Sequence, residues 1–417
     1  MIQKTPDPRP DVIVIGGGPS GTTAASVLAD HGHRVLILEK EKFPRFSIGE
    51  SLIPYCYFTL ERIGMVDKME RSHFQRKHSV QFVSSKGEAS QPFYFGDHFD
   101  HPAAATWQVL RSEFDQMMLD HAREKGVVVL EETRVQEFIR EEDRTVKGVR
   151  AITKEGQKLE FEAPITIDAS GRGGLGLSRN KWRIPDPKLK KIAVWTYYKG
   201  AKRDSGRDEG ATTVGFLPEG GWFWYIPLAD DVVSVGAVAE RDYLFRDTRD
   251  LAEIFDREVE NNDWIRKHLA PGTRINAPGV DEGPMYITSE WSYTASRCAD
   301  DGLVLAGDAL GFLDPIFSSG VLLALKGGEL VGDAVHEALE AKDISAARFV
   351  DYGRQMAAAT DAMKRLVYAF YDEAFSMRGF LERHPHLQSD VTDCLIGNLS
   401  RDFGELFEAV DRYASAS

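Results

Sequence analysis

Residues 16–21, Gly16-Gly17-Gly18-Pro19-Ser20-Gly21, follow a short apolar run, Asp11-Val-Ile-Val-Ile15, and precede an Ala-, Leu- and Val-rich stretch of helical spacing, Thr22 to His31. The chemistry such a turn offers is phosphate binding. Its first glycine permits the tight turn, the second lets backbone approach a pyrophosphate, and the third lets helix and strand pack. Pro19 and Ser20 open the helix, whose N-terminus faces the phosphates. The next apolar run, Arg34-Val-Leu-Ile-Leu38, ends at Glu39, placed to accept hydrogen bonds from an adenosine ribose. Lys40, Arg45 and Ser51 follow and join the candidate cofactor contacts. The elements that carry these residues form one βαβ unit.

Two distant stretches separate FAD from NAD as the dinucleotide. Asp168-Ala-Ser-Gly171 closes a strand, Ile165-Thr-Ile167, with small residues that permit close cofactor approach. Gly302-Leu-Val-Leu-Ala-Gly307-Asp308 is a strand running into a Gly307-Asp308 turn, whose carboxylate could hold ribityl or ribose hydroxyls. With the first turn, these segments resemble the glutathione-reductase-type FAD fold of aromatic hydroxylases and their relatives, over roughly residues 10–340. The cofactor implied is FAD.

Four further segments, in order, resemble the flavin-dependent halogenases, in particular the branch acting on phenolic or carrier-bound aromatics. They are Phe43-Pro-Arg-Phe-Ser-Ile-Gly-Glu-Ser-Leu52, Phe74-Gln-Arg-Lys77-His-Ser-Val-Gln-Phe82, Trp222-Phe-Trp224-Tyr-Ile-Pro227 and Asp314-Pro-Ile-Phe-Ser-Ser-Gly-Val321. The resemblance implies an essential lysine at Lys77, a tryptophan wall at Trp222 and Trp224, and a halide-binding turn at Ser318, Ser319 and Gly320. Gly320 and Val321 would also touch the flavin. Arg111, in Trp107-Gln-Val-Leu-Arg111-Ser-Glu-Phe-Asp115, would meet FAD phosphate or ribityl groups, while Asp115 caps and packs. Glu50 would hold Lys77 or the flavin edge. His73 and His78 flank Lys77 and could relay protons, although such histidines are more often solvated or structural.

Each of these has a plainer explanation. Trp222 and Trp224 are two apart, so on a strand both indoles share a face, whether as a wall or as ordinary core. A lysine is by default solvated. Backbone N–H groups at the start of a helix bind anions, which could be a halide or the reduced flavin edge.

The implied reaction uses FADH2, supplied by a separate NAD(P)H-dependent flavin reductase. With O2 it gives a C4a-hydroperoxide, which chloride or bromide converts to hypohalous acid. Lys77 passes the halogen to an electron-rich phenol- or pyrrole-type substrate, small or tethered to a carrier protein. Tryptophan-specific members carry a glutamate where this chain has Phe317, which argues against free tryptophan as substrate. An FAD-dependent aromatic hydroxylase, or an oxidoreductase resembling the geranylgeranyl reductases, stays open as the alternative.

The chain has 417 residues, 42% of them hydrophobic, with a net charge of -14. That length suggests two or three structural regions, and the acidic balance disfavours nucleic acid as a partner. Three separated cysteines suggest neither a disulfide framework nor a metal site. The N-terminal residues lack a signal-like apolar stretch, and Leu303–Leu325 is interrupted by Asp308, Asp314 and Pro315. These features predict a cytoplasmic protein with no membrane span.

The expected fold is α/β: a glutathione-reductase-type, Rossmann-like FAD-binding domain with an inserted antiparallel β-sheet substrate domain and C-terminal helices. The FAD-binding domain is discontinuous, comprising residues 1–75, 105–189 and 275–330. Residues 76–104 and 190–274 form the sheet domain, and 331–417 the helical region.

Overall fold

The computed structural model describes residues 3–4, 9–97, 99–281, 283–288, 292–372 and 375–416. Val12–Ile15 is β-branched and buried throughout, the pattern of a strand covered on both faces. It lies inside a six-stranded sheet, with Val35–Leu38 parallel to it on one side and Ile165–Asp168 on the other. Leu303–Leu305 continues the sheet beyond Ile165–Asp168, and Val128–Leu130 beyond Val35–Leu38, again in parallel. Strands distant in sequence are therefore neighbours, and the glycine turn, Ala169–Gly171 and Asp308 all emerge at the same ends of adjacent strands. Crevices at such carboxyl ends are where open α/β sheets bind ligands.

The helix Pro19–Asp30 packs against the long helix Ser319–Glu340. The approach needs glycine: a Cβ on Gly328 would stand 2.4 Å from the Ser20 carbonyl oxygen.

The second layer is an eight-stranded sheet. Its centre is the expected antiparallel array, in the spatial order Lys191–Lys199, Val232–Glu240, Trp222–Pro227 and Thr212–Phe216. Ser79–Val83, from the sheet segment expected at 76–104, joins Thr212–Phe216 in parallel and not antiparallel, because the chain between them traverses the cofactor-side layer before returning. One strand comes from outside the expected segments. Tyr286–Ile287 pairs with Lys191–Lys199, although residues 275–330 were assigned to the FAD-binding unit. Gln75–Lys77 stands apart, forming a two-stranded ribbon with Thr106–Gln108.

Beyond residue 331 the chain is mainly helical. Val350–Tyr371 packs along Ser319–Glu340 and delivers Met363, Leu366 and Val367 to the core containing Trp195, Trp222 and Trp224. Gln388–Ile396 and Gly404–Ala416 cover the same core. Among the described residues no helix is long and apolar enough to cross a membrane.

Candidate active site

A cavity of about 600 Å³ lies between the two layers, bounded by the glycine turn, Glu39, Arg111, Asp308, Trp195, Trp222 and Trp224. Its size is that of a small-molecule or cofactor site.

At the cofactor end, Gly16 has φ +105°, and a Cβ there would stand 2.4 Å from the Ala169 carbonyl oxygen. Gly18 is open, with only the Arg45 guanidinium (3.3 Å) near its notional Cβ. Gly18 is the N-cap of Pro19–Asp30 and makes no side-chain cap bond, so the N–H groups of that first turn remain for an anion. Gly16, Gly18, Pro19 and Ser20 line the cavity, whereas Gly21 and Gly307 do not. A Cβ on Gly21 would strike the Gly16 carbonyl oxygen at 2.0 Å, and one on Gly307 would meet Ser20 Cβ at 2.7 Å. Both glycines therefore serve packing.

Glu39 is buried and fixed by two backbone donors, Gly17 N–H at 2.7 Å and Glu41 N–H at 2.9 Å. A carboxylate has further lone pairs to offer a ribose. Lys40 lines the cavity beside it. Asp115 does not cap its helix, because Leu110 is the N-cap of Arg111–Glu124 and makes no side-chain bond. The fully buried Asp115 carboxylate instead joins two cations. It accepts from Arg111 Nε (2.7 Å) and Nη2 (2.9 Å), and pairs with Arg45 Nη1 at 3.1 Å. Arg111 also donates to the Ile48 carbonyl at 2.7 Å. Asp168 does not face the cavity but ties its own turn, accepting from Ser170 N–H and Gly176 N–H. Burial pushes the Asp308 carboxyl up to about 6, against the opposing pull of Arg172 and Arg111. Open backbone at Gly18, uncapped N–H groups, two arginines and a ribose-facing carboxylate fit the phosphates and ribose of FAD.

At the other end, Trp222–Pro227 is buried throughout, and the indoles of Trp222 and Trp224 both line the cavity. They are core and wall at once. Trp222 Nε1 donates to the Tyr371 hydroxyl at 2.7 Å, and that hydroxyl donates to Asp314 at 3.0 Å. Trp224 Nε1 donates to Ser234 Oγ at 3.1 Å. Trp195 extends the wall, with its ring 6.2 Å from that of Trp224, and Tyr286 stacks on it at 5.5 Å. Trp195, Tyr197 and Tyr371 escaped the sequence reading. Trp195 and Tyr197 carry the same two-residue alternation as Trp222 and Trp224, so that signal was available.

Glu50 lines the cavity but does not hold Lys77. Its Oε1 accepts from the Tyr197 hydroxyl at 2.8 Å, because residue 50 faces the aromatic side of the eight-stranded sheet. Burial pushes the Glu50 carboxyl up to about 7. Lys77 is fully buried in the two-stranded ribbon and donates to Ser51 Oγ at 2.8 Å and the Leu52 carbonyl at 3.0 Å. Burial lowers its ammonium to about 7. Ser51 lines the cavity and Lys77 does not, so the serine stands between them. Ser51 Oγ also meets Thr212 Oγ1 at 2.9 Å. His73 pairs with Glu113 at 3.0 Å in an exposed position, and neither His73 nor His78 lines the cavity.

The candidate halide turn is a 3₁₀ turn, Pro315–Phe317, followed by Ser318 at φ +56°. Ser318 N–H is spent on the Pro315 carbonyl at 2.9 Å. Ser318, Gly320 and Val321 line the cavity, while Ser319 is buried and turned from it. Phe317 packs edge-on against Phe370 at 5.8 Å.

The family described as FAD dependent oxidoreductase matches residues 11–180, and the family described as Tryptophan halogenase matches residues 96–378. The flavin-dependent halogenase armH3 of Armillaria mellea is 36% identical over 333 residues, covering 76% of this chain and 65% of that protein. The chain thus spans just under two thirds of the length of that relative. A 1H-pyrrole-2-carbonyl-(peptidyl-carrier protein) chlorinase of Pseudomonas fluorescens is 27% identical over 424 residues, 96% of this chain and 92% of that protein. The solved structure of the flavin-dependent brominase Bmp2 superposes with a TM-score of 0.86 at 27% identity, covering 98% of this chain and 100% of that one.

Proposed function

The chain belongs to the tryptophan-halogenase family of FAD-dependent oxidoreductases, and we propose that it is a flavin-dependent halogenase placing electrophilic halogen on an electron-rich aromatic. The substrate is a phenol or pyrrole, free or tethered to a carrier protein. The similarity to a carrier-bound pyrrole chlorinase along nearly the whole chain supports that class. The observation that carries the reading is the partition of Trp195, Trp222 and Trp224 along one side of a cavity whose other side is the glycine turn.

Reduced FAD, when bound, supplies with O2 the oxidising power that turns chloride or bromide into hypohalous acid. It arrives from a separate NAD(P)H-dependent flavin reductase. The chain's own residues bind and orient. The uncapped turn after Gly18, with Arg45 and Arg111, takes the phosphates, Glu39 the ribose and Asp308 the ribityl hydroxyls. Gly320 and Val321 offer halide the N–H groups of a helix start, where the helix dipole favours an anion. The tryptophan wall keeps an aromatic substrate from the cofactor, which suppresses oxygen transfer to it. Lys77, desolvated and near its midpoint at neutral pH, either hydrogen-bonds hypohalous acid or accepts the halogen on its lone pair. The halogen reaches it past Ser51 and Thr212.

The test combines purified protein, FAD, a flavin reductase, NADH, O2 and halide, with monochlorodimedone as a hypohalite trap and product read by mass spectrometry. Halide-dependent product above the free-flavin background is expected. In the presence of an accepted aromatic, Lys77→Ala should abolish ring halogenation while FAD still binds. Bound FAD that reoxidises rapidly with no halide-dependent product would sink the proposal.

A further inference from the structure

Making hypohalous acid from halide has a proton requirement that FADH2 alone does not meet. In FADH2 + O2 + X⁻ + H⁺ → FAD + HOX + H2O, oxygen takes two electrons from FADH2 and two from halide as the O–O bond breaks. One oxygen leaves as water and the other joins the halogen. The products hold three protons, and FADH2 brings two. The third must come from a donor other than the reduced cofactor, and a group lining the cavity can supply it without opening the site to water.

We propose that Glu50 delivers this proton, held in place by Tyr197; the role rests on the halogenase reading above. Four carboxyl side chains line the cavity: Glu39, Glu41, Glu50 and Asp308. Both oxygens of Glu39 already accept from backbone, Oε2 from Gly17 N–H of the glycine turn and Oε1 from Glu41 N–H. Glu41 is exposed and pairs with Lys40 at the surface, so it is open to bulk water. Burial raises Asp308 too, to about 6, but two cations, Arg172 and Arg111, draw it toward its anion, whereas Glu50, raised to about 7, faces Arg111 alone. Glu50 is 1% exposed and, among the described residues, is the one carboxyl group with a buried oxygen, Oε2, that meets no partner in good hydrogen-bond geometry, although the Ser234 hydroxyl lies close enough to act on the carboxyl.

The geometry also fixes where the proton sits. The Tyr197 hydroxyl donates to Oε1, and burial holds that phenol well above its usual range, so it stays a donor. With Tyr197 donating to Oε1, Oε2 is the oxygen left free to carry the acid proton. The groups acting on Glu50 are Tyr197 and Ser234 from the eight-stranded sheet and Arg111 from the helix below. Only Arg111 is a cation, and it is already neutralised by Asp115. Lys77 is turned away toward Ser51 and Leu52. With the carboxyl pushed up to about 7, the proton is retained on the acid side of neutrality and is still available for transfer.

Glu50→Gln keeps the shape and an acceptor for Tyr197 but carries no transferable proton. Three measurements on the wild type and this variant test the role. The first is halide-dependent product formation across the pH range. The second is FAD affinity by flavin fluorescence. The third is infrared titration of the protonated-carboxyl band in the apoprotein. In the wild type, the rate should hold below pH about 7 and fall above it, and the infrared band should titrate over the same range. Glu50→Gln should lose that band, bind FAD within about twofold, and halogenate about 100-fold more slowly with no inflection near neutrality. Its reduced flavin should then discharge as hydrogen peroxide, and Glu50→Asp should restore part of the rate. An active wild type matched by an equally active Glu50→Gln overturns this role alone. Asp308, raised to about 6, contributes its own band, so the decisive signal is the difference between the two proteins, and a component titrating near 7 that is unchanged in Glu50→Gln also overturns the role. A wild type that makes no hypohalite overturns the halogenase reading and this role together.

Discussion

Trp222 and Tyr371 are joined by a 2.7 Å hydrogen bond from indole to phenol, and Tyr371 passes the contact on to Asp314 at 3.0 Å. One hydroxyl at the end of the helix Val350–Tyr371 thus ties the tryptophan wall to the turn preceding the halide candidates. Tyr371→Phe takes an acceptor from Trp222 and a donor from Asp314, at a cost of about 1–3 kcal/mol. Urea unfolding of the apoprotein should show that loss. If the tie holds the wall closed, the same variant should also raise the proportion of reduced flavin lost as hydrogen peroxide.

Two of the glycines in the cofactor turn, Gly16 and Gly18, should fail in different ways. Gly18→Val projects into open cavity and should weaken FAD binding by about 100-fold, roughly 3 kcal/mol, with apoprotein stability nearly unchanged. Gly16→Ala instead drives a Cβ to 2.4 Å from the Ala169 carbonyl at φ +105°. It should destabilise the apoprotein itself by about 1–3 kcal/mol. Thermal unfolding alongside FAD titration separates the two.

Gly236 lies opposite Trp224, and a Cβ there would stand 2.4 Å from the indole and 2.6 Å from Trp195 Cβ. Gly236→Ala should displace the Trp224 ring, cost about 1–3 kcal/mol, and shift tryptophan fluorescence. Fluorescence and stability that both match the wild type would show that the wall is looser than its packing indicates.

Lys77 provides a prediction with a definite sign. Its folded-state midpoint, about 7, lies below the ordinary 10.5, so the unfolded chain holds more protons between these values. Wild-type stability from this group must therefore rise with pH across that window. The burden below it is roughly 5 kcal/mol at about 1.4 kcal/mol per tenfold change. Lys77→Met removes that burden but loses the bonds to Ser51 and Leu52, about 1 kcal/mol each. The apoprotein should gain on the order of 3 kcal/mol near neutrality, with the gain shrinking and then reversing as pH approaches 10.5. A gain that does not vary with pH would exclude a desolvated amine.

The cofactor end was legible because its chemistry is local. The glycines, the strand before them and Glu39 all lie within one βαβ unit, and backbone geometry dictates those residue types. The pairing of Trp222 with Trp224 was legible for the same reason, since alternation along a strand needs no partner. What the sequence hid depends on distant partners. The Glu50–Tyr197 and Trp222–Tyr371 bonds link residues 147 and 149 positions apart. The expected Glu50–Lys77 contact failed because Glu50 turns to the aromatic sheet while the neighbouring Ser51 takes the lysine. Asp115 looked like a cap because it lies in the first turns of its helix, and only the folded chain brings Arg45 to it. Ser79–Val83 was assigned to the sheet from sequence, but its parallel direction could not be read locally, because its partner lies beyond the whole cofactor-side crossover.

Because Val12–Ile15 is flanked by strands from residues 35–38 and 165–168, and Leu303–Leu305 completes that flank, the order of synthesis matters. A chain emerging from the ribosome presents its phosphate-binding turn almost at once. The turn has no carbonyl of Ala169 against it until more than a hundred further residues appear, and no Ser319–Glu340 helix behind it until three quarters of the chain is made. A nascent chain therefore cannot close around FAD early, and loading with the cofactor must follow translation of the long helix. Truncation just before that helix keeps all six strands of the sheet but strips the cover from Pro19–Asp30, exposing apolar surface to chaperones and proteases.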